Sequence, residues 1–217
     1  MPLCTHSTFE GGGIAIWRIE ESAETLYAML DTTRYDDVLA TMSHEARRAE
    51  WLAVRVLIGQ LLGADKEVLY QPSGRPYLAD GSYHISISHT KGYAAIAYHR
   101  ACSVGIDIEQ IAPRVGRIAP RFTHPDEAAY IDGRDEEMRM MYWLINWSAK
   151  ETLYKVADNS VAAEFREAFR IAPYELNQQG VLDVRCYVST DEGSLMRVHY
   201  RTFSDIVCTW VVCGEVN

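Results

Sequence analysis

The chain is short of positive charge and has no long apolar run. Its 21 Lys and Arg stand against 30 Asp and Glu, a formal net charge of −9. General nucleic-acid binding needs a basic field, so that class is set aside, although a local basic site is not. No apolar stretch reaches the roughly 18 residues that a membrane span requires. Cysteines are few and scattered: Cys4, Cys102, Cys186, Cys208 and Cys213 form no Cys-x-x-Cys pair. An odd, dispersed set fits reduced thiols in a cytoplasmic protein better than a disulfide framework. Met1–Gly13 lacks the charged-then-apolar layout of a signal peptide, which also points to the cytoplasm. Phosphate-loop and dinucleotide fingerprints, zinc-ligand spacing and a Gly-x-Ser-x-Gly elbow are all missing. Gly11-Gly12-Gly13 precedes the first expected strand instead of following one, so it reads as a turn and not as a nucleotide loop.

What is present is an ordinary globular composition, 48% hydrophobic and 24% charged over 217 residues, enough for one large domain or two small ones. Ile14–Ile19 reads as a first strand and residues 21–30 as a short helix. Apolar positions Ala49, Leu52, Ala53, Val56, Leu57 and Leu61 keep a helical period from an N-cap at Ser43 to a C-cap at Gly63. Gln71–Gly74 reads as a turn, and residues 84–88 and 93–99 as a hairpin. The second half opens with a strand at Val104–Glu109, followed by helices at 126–131 and 136–156. Strands are expected at 169–171, 181–188, 195–202 and 207–212. Each half therefore offers helices beside a mainly antiparallel sheet, an α+β pattern, with the break near Cys102–Val104 and halves at 1–103 and 104–217.

The chemistry concentrates in two acidic motifs. In Val104-Gly105-Ile106-Asp107-Ile108-Glu109, alternation along a strand points Asp107 and Glu109 to one face. In Trp147-Ser148-Ala149-Lys150-Glu151-Thr152-Leu153-Tyr154-Lys155, helical spacing puts Glu151 and Lys155 on one face. Carboxylates converging from a strand and a helix make an oxygen donor set suited to Mg²⁺. Each motif has a plainer reading. Asp107 and Glu109 suit any solvated strand face. Glu151 and Lys155 suit a surface ion pair worth only ~0.2–0.5 kcal/mol. Lys150, rotated by about 100° from Glu151, reaches phosphate or merely solvates its own face. Trp147 reads as core packing.

Together the motifs resemble the 4′-phosphopantetheinyl transferase superfamily, whose signature is a Gly-x-Asp-x-Glu strand followed by a Trp-x-x-Lys-Glu-x-x-x-Lys helix. Two upstream elements extend the resemblance. Gly74-Arg75-Pro76 is similar to its Gly-Lys/Arg-Pro turn, and Ser86-Ile87-Ser88-His89 to its Ser-x-Ser-His strand end. The matched stretch runs from about residue 45 to 160. The resemblance implies two pseudo-symmetric α/β halves in a monomer, with the active site at their interface. It implies Mg²⁺-dependent transfer of the 4′-phosphopantetheine arm of coenzyme A to a serine of an apo acyl or peptidyl carrier protein, releasing 3′,5′-ADP. Asp107, Glu109 and Glu151 would hold Mg²⁺, with Glu151 also the general base and Lys155 on the transferring phosphate. Arg75, Ser88 and His89 would meet the nucleotide end of coenzyme A, with Lys150 and an arginine of the 45–62 helix, Arg48 or Arg55, as further phosphate contacts; Arg47 competes with Arg48 for that place. No nucleic acid or membrane partner is implied.

Arg114, Arg117 and Arg121 are the only formal charges between Gln110 and Pro125. In an acidic chain, such a one-sign patch suits docking of an acidic carrier protein; its plain alternative is a solvated loop. Two rival functions stay open: a coenzyme A-binding relative without transfer, and a Mg²⁺-dependent phosphodiesterase or nucleotide hydrolase.

Overall fold

The computed structural model describes residues 3–30, 33–157, 165–188 and 192–214. The chain divides into two compact units, Met1–Cys102 and Ser103–Asn217, each an α+β arrangement of antiparallel strands and packed helices. No helix among the described residues is long and apolar enough to cross a membrane.

The first unit runs β1 (Leu3–Phe9), β2 (Gly12–Arg18), α1 (Ala23–Ala28), α2 (Asp36–Ala40), α3 (Glu45–Leu62), β3 (Val68–Tyr70), β4 (Pro76–Leu78), β5 (His84–Thr90) and β6 (Tyr93–His99). Its main sheet has the order β1-β2-β6-β5, two hairpins joined along β2 and β6, and β3 and β4 form a separate ribbon. The apolar face of α3 buries Leu52, Ala53, Val56 and Leu57 against Trp17, Leu26 and Ile96. Burying each such large side chain supplies about 1.5–3 kcal/mol.

Strand β1 has no counterpart in the sequence reading. Its side chains alternate between half-buried and exposed, with polar Cys4, His6 and Thr8 outward, so it carries no apolar run. The expected three-glycine turn shrinks to Gly11, because Gly12 and Gly13 begin β2. Crowding explains them: a Cβ on Gly12 would lie 2.2 Å from the Tyr98 carbonyl oxygen. The cap of α3 is His44, not Ser43, and it makes no side-chain capping bond.

The second unit runs β7 (Val104–Gln110), α4 (Val115–Phe122), α5 (Pro125–Ile131), α6 (Glu136–Val156), α7 (Phe165–Ala168), β8 (Phe169–Ile171), β9 (Gln179–Cys186), β10 (Ser194–Thr202) and β11 (Ile206–Val212). The sheet order is β7-β11-β10-β9-β8, so the last strand pairs with the first. Ile145, Ala149 and Leu153 of α6 pack with Leu182, Val198 and Val211 of the sheet. Asp135 caps α6 by accepting the Met138 N–H at 2.9 Å, and Glu136 and Glu137 suit the positive end of the helix dipole.

Gly105 sets how closely α6 approaches β7. A Cβ there would stand 2.5 Å from the Thr152 carbonyl oxygen of α6 and 3.0 Å from Val156. Gly105, Asp107 and Glu109 share one strand face, so the close approach at the glycine brings the following carboxylates against the helix. Gly105→Ala is expected to lower the unfolding free energy by about 1–3 kcal/mol, the usual cost of overpacking. Urea denaturation checks this, and an unchanged midpoint would show that α6 yields freely.

Candidate active site

Helix α6 clamps both carboxylates of β7. The Trp147 indole N–H donates to Glu109 Oε1 at 3.0 Å. The Ser148 hydroxyl donates to Asp107 Oδ2 at 2.9 Å, and Lys155 Nζ donates to Asp107 Oδ1 at 2.9 Å and to the Ile106 carbonyl at 2.8 Å. Trp147, Ser148, Glu151, Thr152 and Lys155 follow one another at helical spacing along this contact stripe. Arg114 donates to the other oxygen of Glu109, Oε2, at 3.3 Å.

The electrostatics follow from burial and crowding. Burial first, then the Asp107 charge, push the Glu151 carboxyl from its ordinary value up to about 7, while Lys155 pulls it down and Glu109 adds to the rise. Glu109 is raised for the same two leading reasons, against the Trp147 and Arg114 hydrogen bonds. Negative charge thus accumulates beyond what Lys155 and Arg114 offset. Three carboxylates of this kind are the donor type of a hard divalent cation. Yet among the described residues no three His, Cys, Asp or Glu side chains stand close enough to hold an ion as they are placed. The donor chemistry fits Mg²⁺; the present side-chain spacing does not enclose one.

Lys150 departs from its expected role. Its side chain is fully buried, donating from Nζ to the Phe122 carbonyl at 2.6 Å and to Glu127 at 2.9 Å. Glu127 is equally buried and accepts backbone N–H groups from Ile171 at 2.9 Å and His124 at 3.1 Å. Lys150 is therefore an internal strut tying α6 to the end of α4, to α5 and to β8. It has no face toward a phosphate ligand.

Five of the residues expected to contact coenzyme A, Arg48, Arg55, Arg75, Ser88 and His89, fall in the first unit. Arg75 is half-buried, just after the Gln71–Gly74 turn, whose closing bond runs from the Gly74 N–H to the Gln71 carbonyl at 2.8 Å. Ser88 is buried on β5, and His89 follows it with its side chain outward. The helix α3 arginine beside His89 is Arg47, with Nη1 2.6 Å from His89 Nε2. A guanidinium only donates, so Nε2 is the acceptor and Nδ1 carries the proton toward Glu50 Oε2, 3.3 Å away. Arg48 instead lines a cleft with Glu24, Asp36 and Glu45, an acidic setting that disfavours a phosphate. Arg55 is 4% exposed. Its guanidinium stacks 3.5 Å from the Trp51 ring centroid and donates to the Tyr70 hydroxyl at 3.0 Å. Of the arginines offered from this helix, Arg47 is the one next to His89.

Of the three docking arginines, Arg117 and Arg121 ride on α4 and Arg114 is its N-cap; all are exposed, opposite buried Val115, Ala119 and Phe122. Pro120 lies inside the helix without ending it. Arg121 also lines a cleft of about 490 Å³ with Ile118, Phe122, Trp147, Glu151 and Phe165, so an apolar wall leads to the raised carboxyl. Ser148 and Thr209 were not singled out from the sequence. Only the register that sets Thr209 opposite Asp107 on β11 marks them.

The chain matches the family model of the 4′-phosphopantetheinyl transferase superfamily over residues 103–210. It is similar to the 4′-phosphopantetheinyl transferase AcpT of Salmonella typhimurium, 32% identical over 124 residues, 55% of this chain and 64% of that protein. It is similar to the 4′-phosphopantetheinyl transferase HetI of a Nostoc species, 25% identical over 179 residues, 75% of this chain and 76% of that protein. The match thus spans just under two thirds of the AcpT relative. With the Gly-x-Asp-x-Glu strand and the Trp-x-x-Lys-Glu-x-x-x-Lys helix clamped together inside the matched segment, the chain belongs to the 4′-phosphopantetheinyl transferase superfamily.

Proposed function

We propose that the protein transfers the 4′-phosphopantetheine arm of coenzyme A to a serine hydroxyl of an apo acyl or peptidyl carrier protein. The observation that carries this reading is Glu151, a carboxyl raised to about 7 beside Asp107 and Lys155 in the family's own segment. A group near neutrality is matched to accept a proton at physiological pH. In the reaction, the serine oxygen forms a bond to the phosphorus that carries the pantetheine arm. The bond from that phosphorus to the bridging oxygen breaks, 3′,5′-ADP leaves, and the serine proton passes to Glu151. Lys155, which donates to Asp107, contacts the transferring phosphate as charge moves onto its oxygens. Asp107, Glu109 and Glu151 would hold Mg²⁺, which when bound neutralises pyrophosphate charge.

Arg75, Ser88, His89 and Arg47 are the proposed contacts for the nucleotide end, since coenzyme A carries a 3′-phosphate that needs donors. The protein acts as a cytoplasmic monomer in this reading. Mass spectrometry of a carrier protein incubated with coenzyme A and Mg²⁺ tests the function. A gain of the phosphopantetheine arm on the carrier serine is the expected result. Breakdown of coenzyme A without that gain would replace transfer by hydrolysis, and neither would leave binding alone.

The exposed arginines of α4 are the proposed carrier-docking surface. Arg117 is the cleanest probe, because Arg114 is committed to Glu109 and Arg121 lines the cleft beside Glu151. Arg117→Glu is expected to raise KM for an acidic carrier protein by roughly tenfold at low salt, with coenzyme A binding unchanged. The difference should shrink as salt screens the exposed charge. Steady-state kinetics at two ionic strengths check it; an unchanged KM at low salt would place docking elsewhere.

A further inference from the structure

Behind Asp107 lies a run of three buried hydroxyls that the reaction scheme does not use. Ser148, Thr152 and Thr209 are all fully buried. Ser148 Oγ lies 2.9 Å from both Asp107 Oδ2 and Thr209 Oγ1. Thr209 Oγ1 lies 2.7 Å from Thr152 Oγ1, which also approaches the Thr209 carbonyl at 3.2 Å. Each hydroxyl has one proton to give. An ionised carboxylate only accepts, so the Ser148 proton is spent on Asp107. Ser148 must then accept from Thr209, while Thr152 gives its one proton to the Thr209 carbonyl or to the Thr209 hydroxyl. The Thr209 and Ser148 protons therefore point one way, toward Asp107, and each bond in such a chain polarises the next. The Ser148 end of the chain terminates on an acceptor, Asp107 Oδ2. Lys155 meanwhile sits on the other oxygen, Oδ1.

From this geometry we infer that Ser148, backed by Thr209 and Thr152, is a positioning residue that locks the Asp107 side chain through Oδ2 and leaves Oδ1, which here accepts from Lys155, as the oxygen a metal cation would share. The inference rests on the reading of Asp107 as a Mg²⁺ ligand, and it goes beyond the signature residues to the hydroxyls that hold one of them. Thr152 and Thr209 contribute from different elements, so the lock also ties α6 to β11 at the point where β7 carries its carboxylate. A hydroxyl chain serving only as core filling would be indifferent to replacement by a residue of similar volume.

The test uses the full chain with Ser148→Ala, Ser148→Thr and Thr209→Val, and Asp107→Ala as reference. Crystal structures of the metal-free variants report the Asp107 rotamer, and Mn²⁺ titration followed by electron paramagnetic resonance reports cation affinity without turnover. Ser148→Ala is expected to release Asp107 from its rotamer and raise the Mn²⁺ dissociation constant by about 10- to 100-fold, the usual effect of losing a partner that orients a ligand. Ser148→Thr should restore both, and Thr209→Val should give a smaller rise. An unmoved Asp107 in Ser148→Ala overturns the inference, as does a moved Asp107 with unchanged Mn²⁺ affinity when Asp107→Ala itself loses Mn²⁺. If Asp107→Ala binds Mn²⁺ like the wild type while Ser148→Ala still frees the Asp107 side chain, the positioning role stands and the metal reading fails.

Discussion

Glu151→Gln should lower transfer turnover by about 10²- to 10⁴-fold, the range that a positioned proton acceptor contributes. The same variant should melt at a higher temperature than the wild type at pH 8. The sign follows from the raised carboxyl. In the unfolded chain a glutamate ionises near its ordinary value, whereas in the fold Glu151 keeps its proton up to about 7. Its contribution is complete below the unfolded value and is lost as pH rises through the folded one. At pH 8 the ionised group therefore opposes folding, by about 1–3 kcal/mol, since one pKa unit corresponds to ~1.4 kcal/mol. Glutamine removes that penalty at pH 8 and changes little at pH 5. Calorimetry at the two pH values, beside the mass-spectrometric transfer assay, checks both halves. Turnover within tenfold of the wild type would remove Glu151 from the chemistry.

Lys150→Met is expected to destabilise the protein by about 3–5 kcal/mol, because it leaves the buried Glu127 carboxylate without its cation. The pair is fully enclosed, and burial already pushes the Lys150 ammonium down against the pull of Glu127. Lys150→Met with Glu127→Gln removes both charges and keeps an acceptor for one of the two N–H groups, Ile171 or His124, which reach different oxygens of Glu127. That double variant should recover at least half of the loss. Urea unfolding of the three proteins decides the matter. A single variant within 1 kcal/mol of the wild type, by the scale of a surface pair, would mean that Lys150 is not the strut described.

The limits of the sequence reading are physical ones. Helix α6 is legible from end to end because a 21-residue period has an acidic start and a Lys in its last turn. Strand β7 is legible because Val104, Ile106 and Ile108 alternate with functional positions. Lys150 misleads because a lysine on a helix is solvated by default, and its burial depends on Glu127 arriving from another helix. Helix α4 is obscured by Pro120, which its exposed position tolerates. The choice among Arg47, Arg48 and Arg55 turns on the rotation of α3 by a fraction of a turn, and helical spacing alone does not fix that rotation. Ser148 is silent in sequence because its partner Thr209 is brought opposite Asp107 only by pairing across most of the unit.

That pairing has a kinetic consequence. Strand β11 lies between β7 and β10, so the last strand of this unit must insert beside the strand that opened it. Val104 faces Val212 and Glu109 faces Val207, contacts separated by nearly the whole unit. Loop closure of that length comes before any reward from the pairing, and topologies of this kind fold slowly. During synthesis, the first unit can collapse while the second waits for Ile206–Val212 to emerge. Until then Asp107 has no Thr209 behind it, and the nascent chain has the signature residues without a site.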